Sequence, residues 1–216
     1  MTVFLLFVIA IIAYCFGSLN GAIISSRFIF RKDVREFGSH NAGLTNYYRC
    51  FGAPGVALVL LIDILKSVIA VVIGGALLNI VGAPVIGKLF AGFCLMMGHV
   101  FPVFYGLHGG KAVLCGVVTA TVVDWRVGLC CFLVFLIIVI FTRYVSLGSI
   151  AGGSLCPVFL WIFGYEPLAC VLGLLCALLI DIRHAENIVR LIGGTESKLQ
   201  FGGSRSAGQD HYGDGR

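Results

Sequence analysis

Seven apolar runs dominate the sequence and limit what the chain can fold into. They lie at about 3–26, 54–78, 84–105, 112–123, 127–142, 146–164 and 167–182. Most are close to the roughly 20 apolar residues that a helix needs to cross a bilayer. With 59% hydrophobic and only 12% charged residues and a mean hydropathy of +1.04, a water-soluble core could not cover this apolar surface. The runs predict an all-α integral membrane protein of about seven transmembrane helices.

The segments between the runs are short, which leaves no room for a separate soluble domain. We therefore expect a single polytopic membrane domain over residues 1–199. Residues 200–216 are rich in glycine, serine and charge, and this composition is typical of a disordered tail.

Cysteine spacing and charge exclude two kinds of site. The nine cysteines include no C-x-x-C pair, and no set of Cys, His and carboxylates has metal-ligand spacing. We expect neither a metal site nor a cofactor. The net charge of +5 comes from basic residues beside the apolar runs rather than from one basic domain, so no nucleic-acid partner is expected.

The basic residues also predict the orientation in the membrane. The fourth and fifth runs are short and are divided by 124–126, so they form either a hairpin of two spans or one span with a re-entrant piece. If both span, every Lys and Arg other than Lys66, Lys88 and Arg126 lies on one side, which the positive-inside rule makes cytoplasmic. If only one spans, the basic tail moves outside. We therefore expect seven spans, with the N-terminus outside and the C-terminus in the cytoplasm.

Three polar segments interrupt the apolar pattern, and this topology puts all of them on the cytoplasmic side. The first, 37–49, is rich in hydroxyls, amides and glycines, which suits anion capture. The second, 98–102 followed by 107–111, ends in a Gly-Gly-Lys turn that opens a predicted helix, where free N–H groups, the helix dipole and an ammonium favour phosphate. The third, 183–196, puts His184 and Asn187 on one helix face. Each segment also has a plainer interpretation. The first could be an ordinary polar turn, Lys111 of the second could be a membrane-border anchor, and the third could be an interfacial helix with a polar face.

Six ordered motifs run through these segments and the spans between them. They are Gly-Ser-x-Asn-x-Gly-x-Thr-Asn at 38–46, Asp63-x-Leu65-Lys66, Gly98-His99-x-Phe101-Pro102, Gly109-Gly110-Lys111, Tyr144-Val145-Ser146-Leu147, and His184-x-Glu186-Asn187-Ile188-x-Arg190-Leu191 with Gly194-Thr195-Glu196. From about Gly17 to Glu196 the chain closely resembles the integral-membrane acyl-phosphate:glycerol-3-phosphate acyltransferase family, known as PlsY. That family is similar in having seven spans and a site at the cytoplasmic side.

The resemblance implies an enzyme of the bacterial cytoplasmic (inner) membrane, embedded in membrane lipid. It implies transfer of an acyl group from acyl phosphate to glycerol 3-phosphate, giving 1-acyl-glycerol 3-phosphate (lysophosphatidic acid) and phosphate, with a soluble acyl-phosphate-forming enzyme as partner. The residues expected in catalysis are Ser39, Lys111, His184 and Asn187. The residues expected to bind substrate are Gly38, Asn41, Thr45, Asn46, Arg49, Gly109, Gly110 and Arg190.

Two positions depart from the family pattern. The family usually has Lys-Gly-Gly-Lys-Gly, whereas here His108 replaces the first lysine and Ala112 the last glycine. Because these positions lie beside the predicted phosphate site, we expect the two replacements to change substrate affinity more than the type of reaction. His184 could act as a base if its pKa lay near neutrality, but the family mechanism, in which substrate phosphate takes the proton, favours a positioning role.

Other function classes fit less well. No His-x-x-x-x-Asp occurs, so the histidine–aspartate pair of the soluble-type glycerolipid acyltransferases is absent. A transporter would place ligand groups near the bilayer midplane, where this chain offers mainly Asp63 and Lys66, an i, i+3 pair that can neutralise itself. A structural membrane subunit would not need three polar segments on one face.

Overall fold

The structure, a computed structural model, describes residues 1–199. The predicted disordered tail, 200–216, lies outside the described residues. Over residues 1–199 the regular structure is entirely helical, so the predicted all-α class is confirmed. The α-helices are α1 Thr2–Gly17, α2 Gly21–Phe30, α3 Leu44–Phe51, α4 Val56–Asn79, α5 Pro84–Val100, α6 Val113–Val123, α7 Trp125–Thr142, α8 Val145–Ser154, α9 Cys156–Ile162, α10 Pro167–Arg183 and α11 Ala185–Ile192. Short 3₁₀ helices lie at Val34–Glu36 and Val103–Tyr105.

Within residues 1–199, five helical stretches are long and apolar enough to cross a membrane. They are Thr2–Phe30, Val56–Asn79, Pro84–Tyr105, Trp125–Thr142 and Val145–Ile162. α10 and α11, bent by 59°, make a sixth if they count as one span. α6 has 11 residues, about 16 Å at 1.5 Å per residue, or half of a ~30 Å hydrocarbon core. The integral membrane fold is confirmed, whereas the count of seven, the choice between hairpin and re-entrant piece, and the orientation of the termini stay predictions.

The first span is broken between α1 and α2, at residues 18–20. A break inside a membrane leaves backbone groups that need partners. Lys66 of α4 supplies them, because its Nζ donates to the carbonyls of Gly17 and Leu19 at 3.3 and 2.7 Å. The Asn20 side chain then caps α2 by accepting a backbone N–H at 3.0 Å.

Lys66 also belongs to a buried polar cluster of three side chains, Asp63, Lys66 and His99, which we name the Lys66 cluster. Lys66 Nζ lies 2.7 Å from Asp63 Oδ1 and 2.9 Å from His99 Nδ1. Asp63 Oδ1 also accepts the Gly21 N–H at 3.1 Å. All three side chains are buried. The predicted neutralisation of Asp63 and Lys66 by each other is confirmed.

Glycines allow the neighbouring helices to pack closely. A Cβ on Gly17 or Gly98 would collide with the backbone of the facing helix, α5 or α1. A Cβ on Gly148 or Gly152 would lie 2.8 Å from a backbone carbonyl of α7. Small residues at these interfaces therefore have a packing role.

Four loop regions meet at one end of the bundle. Arg35, after α2, donates to two carbonyls of the loop that follows α5, at 2.6 and 3.0 Å. Lys111, just before α6, donates to Asn187 of α11. The Leu199 N–H donates to the carbonyl of Arg143, after α7, at 2.7 Å. The three polar segments of the sequence are thus gathered at one end, as predicted.

Candidate active site

A chain of four polar side chains joins the second and third polar segments. Lys111 donates to Asn187 Oδ1, a residue 76 positions away. Asn187 Nδ2 donates to Glu196 Oε1 at 2.7 Å, and Glu196 Oε2 accepts from Arg190 Nε at 2.7 Å. We name Lys111, Asn187, Arg190 and Glu196 the Lys111 cluster. Three of its members are predicted site residues, and the structure brings them together.

Glu196 is the member of the Lys111 cluster that sequence reasoning misses. Burial raises its pKa, but hydrogen bonds from Arg190 and Asn187 outweigh burial and hold the pKa of this carboxyl below its usual value. Glu196 is therefore a carboxylate that orients the Asn187 amide, so that the amide oxygen faces Lys111. The signal that could have found it is the matched Gly-Thr-Glu motif at 194–196.

Lys111 combines a cation with an open helix start. Burial, with the charge of Arg190 as the next cause, lowers the pKa of Lys111 to about 8, so the ammonium form still dominates at neutral pH. Among residues 1–199, no side chain caps α6, which begins at Val113. The first-turn N–H groups and the positive end of the helix dipole favour an anion there. The prediction that Lys111 stands at a helix start is confirmed.

The glycines before Lys111 do not have the predicted free N–H groups. The Gly109 N–H donates to the Val100 carbonyl and the Gly110 N–H to the His99 carbonyl, both at 3.1 Å. That part of the phosphate-site prediction is wrong, because the end of α5 already uses these donors. Glycine is needed for another reason: a Cβ at either position would collide with residues at the end of α5.

Asn46 holds the first polar segment in shape. It is 3% exposed, and its Nδ2 donates to the carbonyls of Val34, Phe37 and Asn41 at 3.2, 3.0 and 3.0 Å. Its Oδ1 accepts the Ser39 N–H at 2.9 Å. The amide is fully engaged by the loop, so this predicted substrate-binding residue acts on the loop's conformation.

The other predicted residues of the first segment are open to a ligand. Ser39, Thr45 and Arg49 are exposed, and Asn41 is half-buried. None of these four side chains makes a hydrogen bond within residues 1–199. Gly38 has a φ of +61°, in the left-handed region that glycine adopts without strain. The segment thus presents two hydroxyls, an amide and a guanidinium.

Arg35 lies two residues before the first polar segment and contacts the second, and sequence reasoning assigned it only to membrane orientation. Its Nη1 donates to the carbonyls of Tyr105 and His108 at 2.6 and 3.0 Å. Its Nη2 lies 2.9 Å from Asp33 Oδ2. Burial raises the pKa of Asp33, but hydrogen bonds from Arg35 and Arg27 hold it well below its usual value. Within the described part of the chain, no hydrogen bond joins the first segment to the third.

His184 stands at the bend between α10 and α11 as a neutral imidazole. It is 3% exposed, and Nδ1 lies 2.8 Å from the Ile180 carbonyl. Burial and the nearby Lys111 charge lower the pKa of His184 to about 4. A neutral ring that donates from Nδ1 has Nε2 as an acceptor. This arrangement suits positioning and makes His184 a weak base.

Ser146 is a second residue that sequence reasoning did not include in the site. It lies in the first turn of α8, beside Glu196. Its side chain is buried and lies close enough to the Glu196 carboxylate to help lower the pKa of that carboxyl. Ser146 therefore supports the carboxylate that orients Asn187 in the Lys111 cluster. The matched Tyr-Val-Ser-Leu motif at 144–147 is its signal.

The fold and the site together define a class of protein. It is a polytopic helical membrane protein whose loops meet at one end of the bundle. The candidate site at that end contains cations and an uncapped helix start, an arrangement that favours phosphate. Among residues 1–199, no three His, Cys, Asp or Glu side chains are placed to share a metal ion.

A glycerol-3-phosphate acyltransferase family model matches residues 7–194. The chain belongs to this family, and the predicted resemblance is confirmed. It is 38% identical over 190 residues to the glycerol-3-phosphate acyltransferase of Thermoanaerobacter pseudethanolicus, covering 88% of this chain and 93% of the relative. It is 35% identical over 203 residues to that of Clostridioides difficile, covering 92% and 98%.

Solved structures are similar as well. PlsY, described as an integral membrane glycerol 3-phosphate acyltransferase, matches in its glycerol 3-phosphate form with a TM-score of 0.80 and 33% identity, covering 90% of this chain and 96% of that one. Its lysophosphatidic acid form matches with a TM-score of 0.79 and 31% identity, covering 90% and 95%.

Proposed function

We propose that this chain transfers an acyl group from an acyl phosphate to glycerol 3-phosphate, giving 1-acyl-glycerol 3-phosphate (lysophosphatidic acid) and inorganic phosphate. The observation that carries the proposal is the Lys111 cluster at an uncapped helix start, in a chain that matches the family over residues 7–194. The two PlsY forms, one named for glycerol 3-phosphate and one for lysophosphatidic acid, support this acceptor and product.

In this proposal, cations hold the phosphate groups and amides and hydroxyls orient the reacting atoms. Lys111 and Arg49 bind phosphate, since one lies at a helix start and the other has an exposed guanidinium. Ser39, His184 and Asn187 orient the acceptor hydroxyl and the acyl carbonyl. The remaining predicted residues bind substrate or shape the loops that do: Gly38, Asn41, Thr45, Asn46, Gly109, Gly110 and Arg190.

For this reaction the protein mainly needs to position the two substrates and neutralise the charge of their phosphate groups. An acyl phosphate is a mixed anhydride, so its carbonyl carbon is already activated. The acceptor hydroxyl oxygen bonds to this carbon, the bond from the carbon to the phosphate oxygen breaks, and phosphate leaves. The hydroxyl proton passes to a substrate phosphate oxygen, whose second pKa is about 6. His184, with a pKa of about 4, is the weaker base and has a positioning role.

The donor is tested with purified protein in detergent, glycerol 3-phosphate, and acyl phosphate, acyl-CoA or acyl-carrier protein supplied separately. We expect lysophosphatidic acid with acyl phosphate alone. Faster transfer from acyl-CoA or acyl-carrier protein would overturn the donor assignment. Failure of all three donors, together with uptake of glycerol 3-phosphate into proteoliposomes, would favour the transporter.

We also propose that the site faces the cytoplasm of a bacterial inner membrane, where a soluble acyl-phosphate-forming enzyme can supply the donor. The distribution of Lys and Arg supports this orientation. Single cysteines at Ser39, Lys111 and Asn187 should be labelled from the inside and one at Asp124 from the outside. Labelling of position 187 from outside the cell would contradict both the seven-span topology and the cytoplasmic site.

A further inference from the structure

His99 belongs to two parts of the molecule, the buried Lys66 cluster and the turn that leads to Lys111. It lies in the last turn of α5 and is 5% exposed. Its Nδ1 is 2.9 Å from Lys66 Nζ, and its backbone carbonyl accepts the Gly110 N–H at 3.1 Å. The proposed reaction does not use this imidazole, so its burial beside the candidate active site has another reason.

The Lys66 ammonium fixes the tautomer of the His99 ring. An ammonium has donors and no acceptor, so Nδ1 accepts from Lys66 Nζ. A doubly protonated ring would turn a second donor toward the ammonium, so the ring is neutral and carries its proton on Nε2. Asp63 Oδ1, 2.7 Å from Lys66 Nζ, balances the charge of the ammonium. The ring is therefore held at Nδ1 and presents an N–H at Nε2.

The Nε2 edge of the ring packs against Gly110. A Cβ on Gly110 would collide with His99 Nε2 and would lie 2.7 Å from the Ala42 carbonyl oxygen. The ring and this carbonyl therefore approach the same side of Gly110. Within residues 1–199 Nε2 makes no hydrogen bond, so the contact is one of packing. An N–H at Nε2 suits the nearby carbonyl oxygen, whereas a lone pair there would be repelled by it.

The two backbones that meet at this ring come from different polar segments. Ala42 belongs to the first segment, and its carbonyl also accepts from Asn20 Nδ2, at 3.0 Å. Gly110 belongs to the second segment and immediately precedes Lys111. The His99 ring thus lies under the junction of the two segments. Because Lys66 holds the ring at Nδ1, the ring is a fixed support for this junction.

Two backbone hydrogen bonds tie the Gly-Gly-Lys turn to the end of α5. The N–H groups of Gly109 and Gly110 donate to the carbonyls of Val100 and His99, both at 3.1 Å. These bonds hold the turn to α5, and the ring sets how closely the turn approaches the first segment. Loss of the outer half of the ring would leave a space beneath Gly110 into which the turn can settle. Lys111, the next residue, would move with the turn.

We propose that His99 is a positioning residue of the active site: its ring, anchored by Lys66, supports the Gly-Gly-Lys turn against the first polar segment and so places the Lys111 ammonium for a phosphate group. The inference rests on the proposed function, in which Lys111 binds phosphate. A displacement of about 1 Å can cost roughly a hundredfold in rate, so the loss of such a support has a measurable effect.

His99→Asn separates the two edges of the ring. Asn Oδ1 can take the place of Nδ1 as an acceptor for Lys66, but the shorter side chain does not reach Gly110. We expect folded protein in which the KM for glycerol 3-phosphate and the inhibition constant of inorganic phosphate rise at least about tenfold. A purely structural role would lower the folded fraction, and hence kcat per total protein, and leave both constants unchanged. That result in His99→Asn overturns the inference.

A double-mutant cycle with Lys111→Ala shows whether His99 acts through Lys111. If it does, His99→Asn should lower kcat/KM at least about tenfold when Lys111 is present. The same substitution should cost less than about twofold when position 111 is alanine, since the ammonium that the ring positions is gone. An equal factor in both backgrounds overturns the inference, because His99 would then act on another group.

His108→Gln is the matched control, since it changes an exposed histidine of the same loop and should leave both constants at the wild-type level. If His99→Asn does not fold, Gly110→Ala decides, because its Cβ pushes the turn off the ring, and unchanged constants there overturn the inference. If wild type transfers no acyl group from acyl phosphate, the proposed function fails. Direct binding of inorganic phosphate then tests the inference, which weaker binding in His99→Asn supports and equal binding overturns.

Discussion

Two lysines in this chain each lie near a histidine and a carboxylate, yet their surroundings give them opposite tasks. Lys66 is buried among Asp63, His99 and two backbone carbonyls, all within 3.3 Å of Nζ. An ammonium has three N–H donors. Since four acceptor groups surround Nζ of Lys66, all three donors have partners within the protein. Lys111 has a single hydrogen-bond partner within residues 1–199, the Asn187 amide oxygen, and is only partly buried.

This difference in hydrogen-bond partners gives a criterion for deciding whether a polar residue in an apolar chain indicates a ligand site. Both lysines interrupt an apolar pattern, but of the two only Lys111 keeps donors that residues 1–199 do not use. The same distinction separates Asn46, whose amide is fully engaged, from Arg49, whose guanidinium makes no hydrogen bond within the described residues. Unused hydrogen-bonding capacity, rather than residue type, separates the site from the scaffold.

The largest expected effect is loss of stability in the Lys66 cluster. Asp63→Ala leaves the Lys66 ammonium buried without its carboxylate, which should destabilise the fold by about 3–5 kcal/mol. Thermal unfolding in detergent and the yield of folded protein measure this. Asp63→Leu combined with Lys66→Met removes both charges but leaves the Gly17 and Leu19 carbonyls and the Gly21 N–H without these partners, so it should recover only part of the loss. An Asp63→Ala protein as stable as wild type would show that Lys66 is not held as the structure indicates.

The second effect is loss of activity without loss of fold. Lys111→Ala removes a charge-assisted contact worth roughly 1.5–3 kcal/mol, so activity should fall at least about tenfold. Lys111→Met keeps the apolar stem of the side chain and should show the same loss with wild-type thermal stability. A folded Lys111→Ala enzyme with full activity and an unchanged KM for glycerol 3-phosphate would make this lysine a membrane-border anchor.

Much of this contrast could be predicted from the sequence. Hydropathy and charge predicted the all-helical membrane fold, and spacing predicted the Asp63–Lys66 pair. Motif order predicted the family, because six matches in sequence are specific even though Gly-Gly-Lys alone is not. The grouping of the three polar segments at one end followed from the charge pattern, since short loops between spans place alternate connections on one side.

The rest depended on backbone geometry, which residue patterns do not reveal. That Gly109 and Gly110 donate to the end of α5 depends on how the chain leaves α5 at Val100. The role of Glu196 depends on the turn after α11, which brings its carboxylate back to Asn187 and Arg190. Neither contact follows a helical or strand period, so neither leaves a periodic signal.

The third prediction is that activity depends on the charge of Lys111, and a pH profile tests it. The pKa of Lys111 is about 8, so the free enzyme loses the ammonium as pH rises through 8, and kcat/KM should fall there by up to about tenfold per unit. Lys111→Arg keeps its charge and should move the fall to higher pH. His184, with a pKa of about 4, should add no step above about pH 5. A fall at the same pH in Lys111→Arg would assign the titration to another group.

A smaller effect is expected from a charge added beside Lys111. His108 is exposed, and His108→Lys restores the first lysine of the family pattern while the backbone carbonyl that accepts from Arg35 remains. An exposed charge contributes up to about 1 kcal/mol, so the KM for glycerol 3-phosphate should be unchanged or fall by up to about fivefold. Salt should weaken any gain, and His108→Gln should match wild type. A raised KM would place the acceptor phosphate away from this turn.

The smallest effect is expected at Ala112, which joins Lys111 to α6. Ala112 has a φ of +59°, the left-handed region where a Cβ costs roughly 1–2 kcal/mol, so Ala112→Gly removes that strain. The same substitution loses a methyl from the core, about 0.8 kcal/mol, and adds about 0.5–1 kcal/mol of backbone entropy cost. These contributions nearly offset one another, so the free energy of unfolding should change by less than about 1 kcal/mol and activity should stay at the wild-type level.

Ala112→Val, whose branched side chain is worse at positive φ, should lower both the melting temperature and the activity. A large activity gain in Ala112→Gly would mean that the alanine misplaces Lys111.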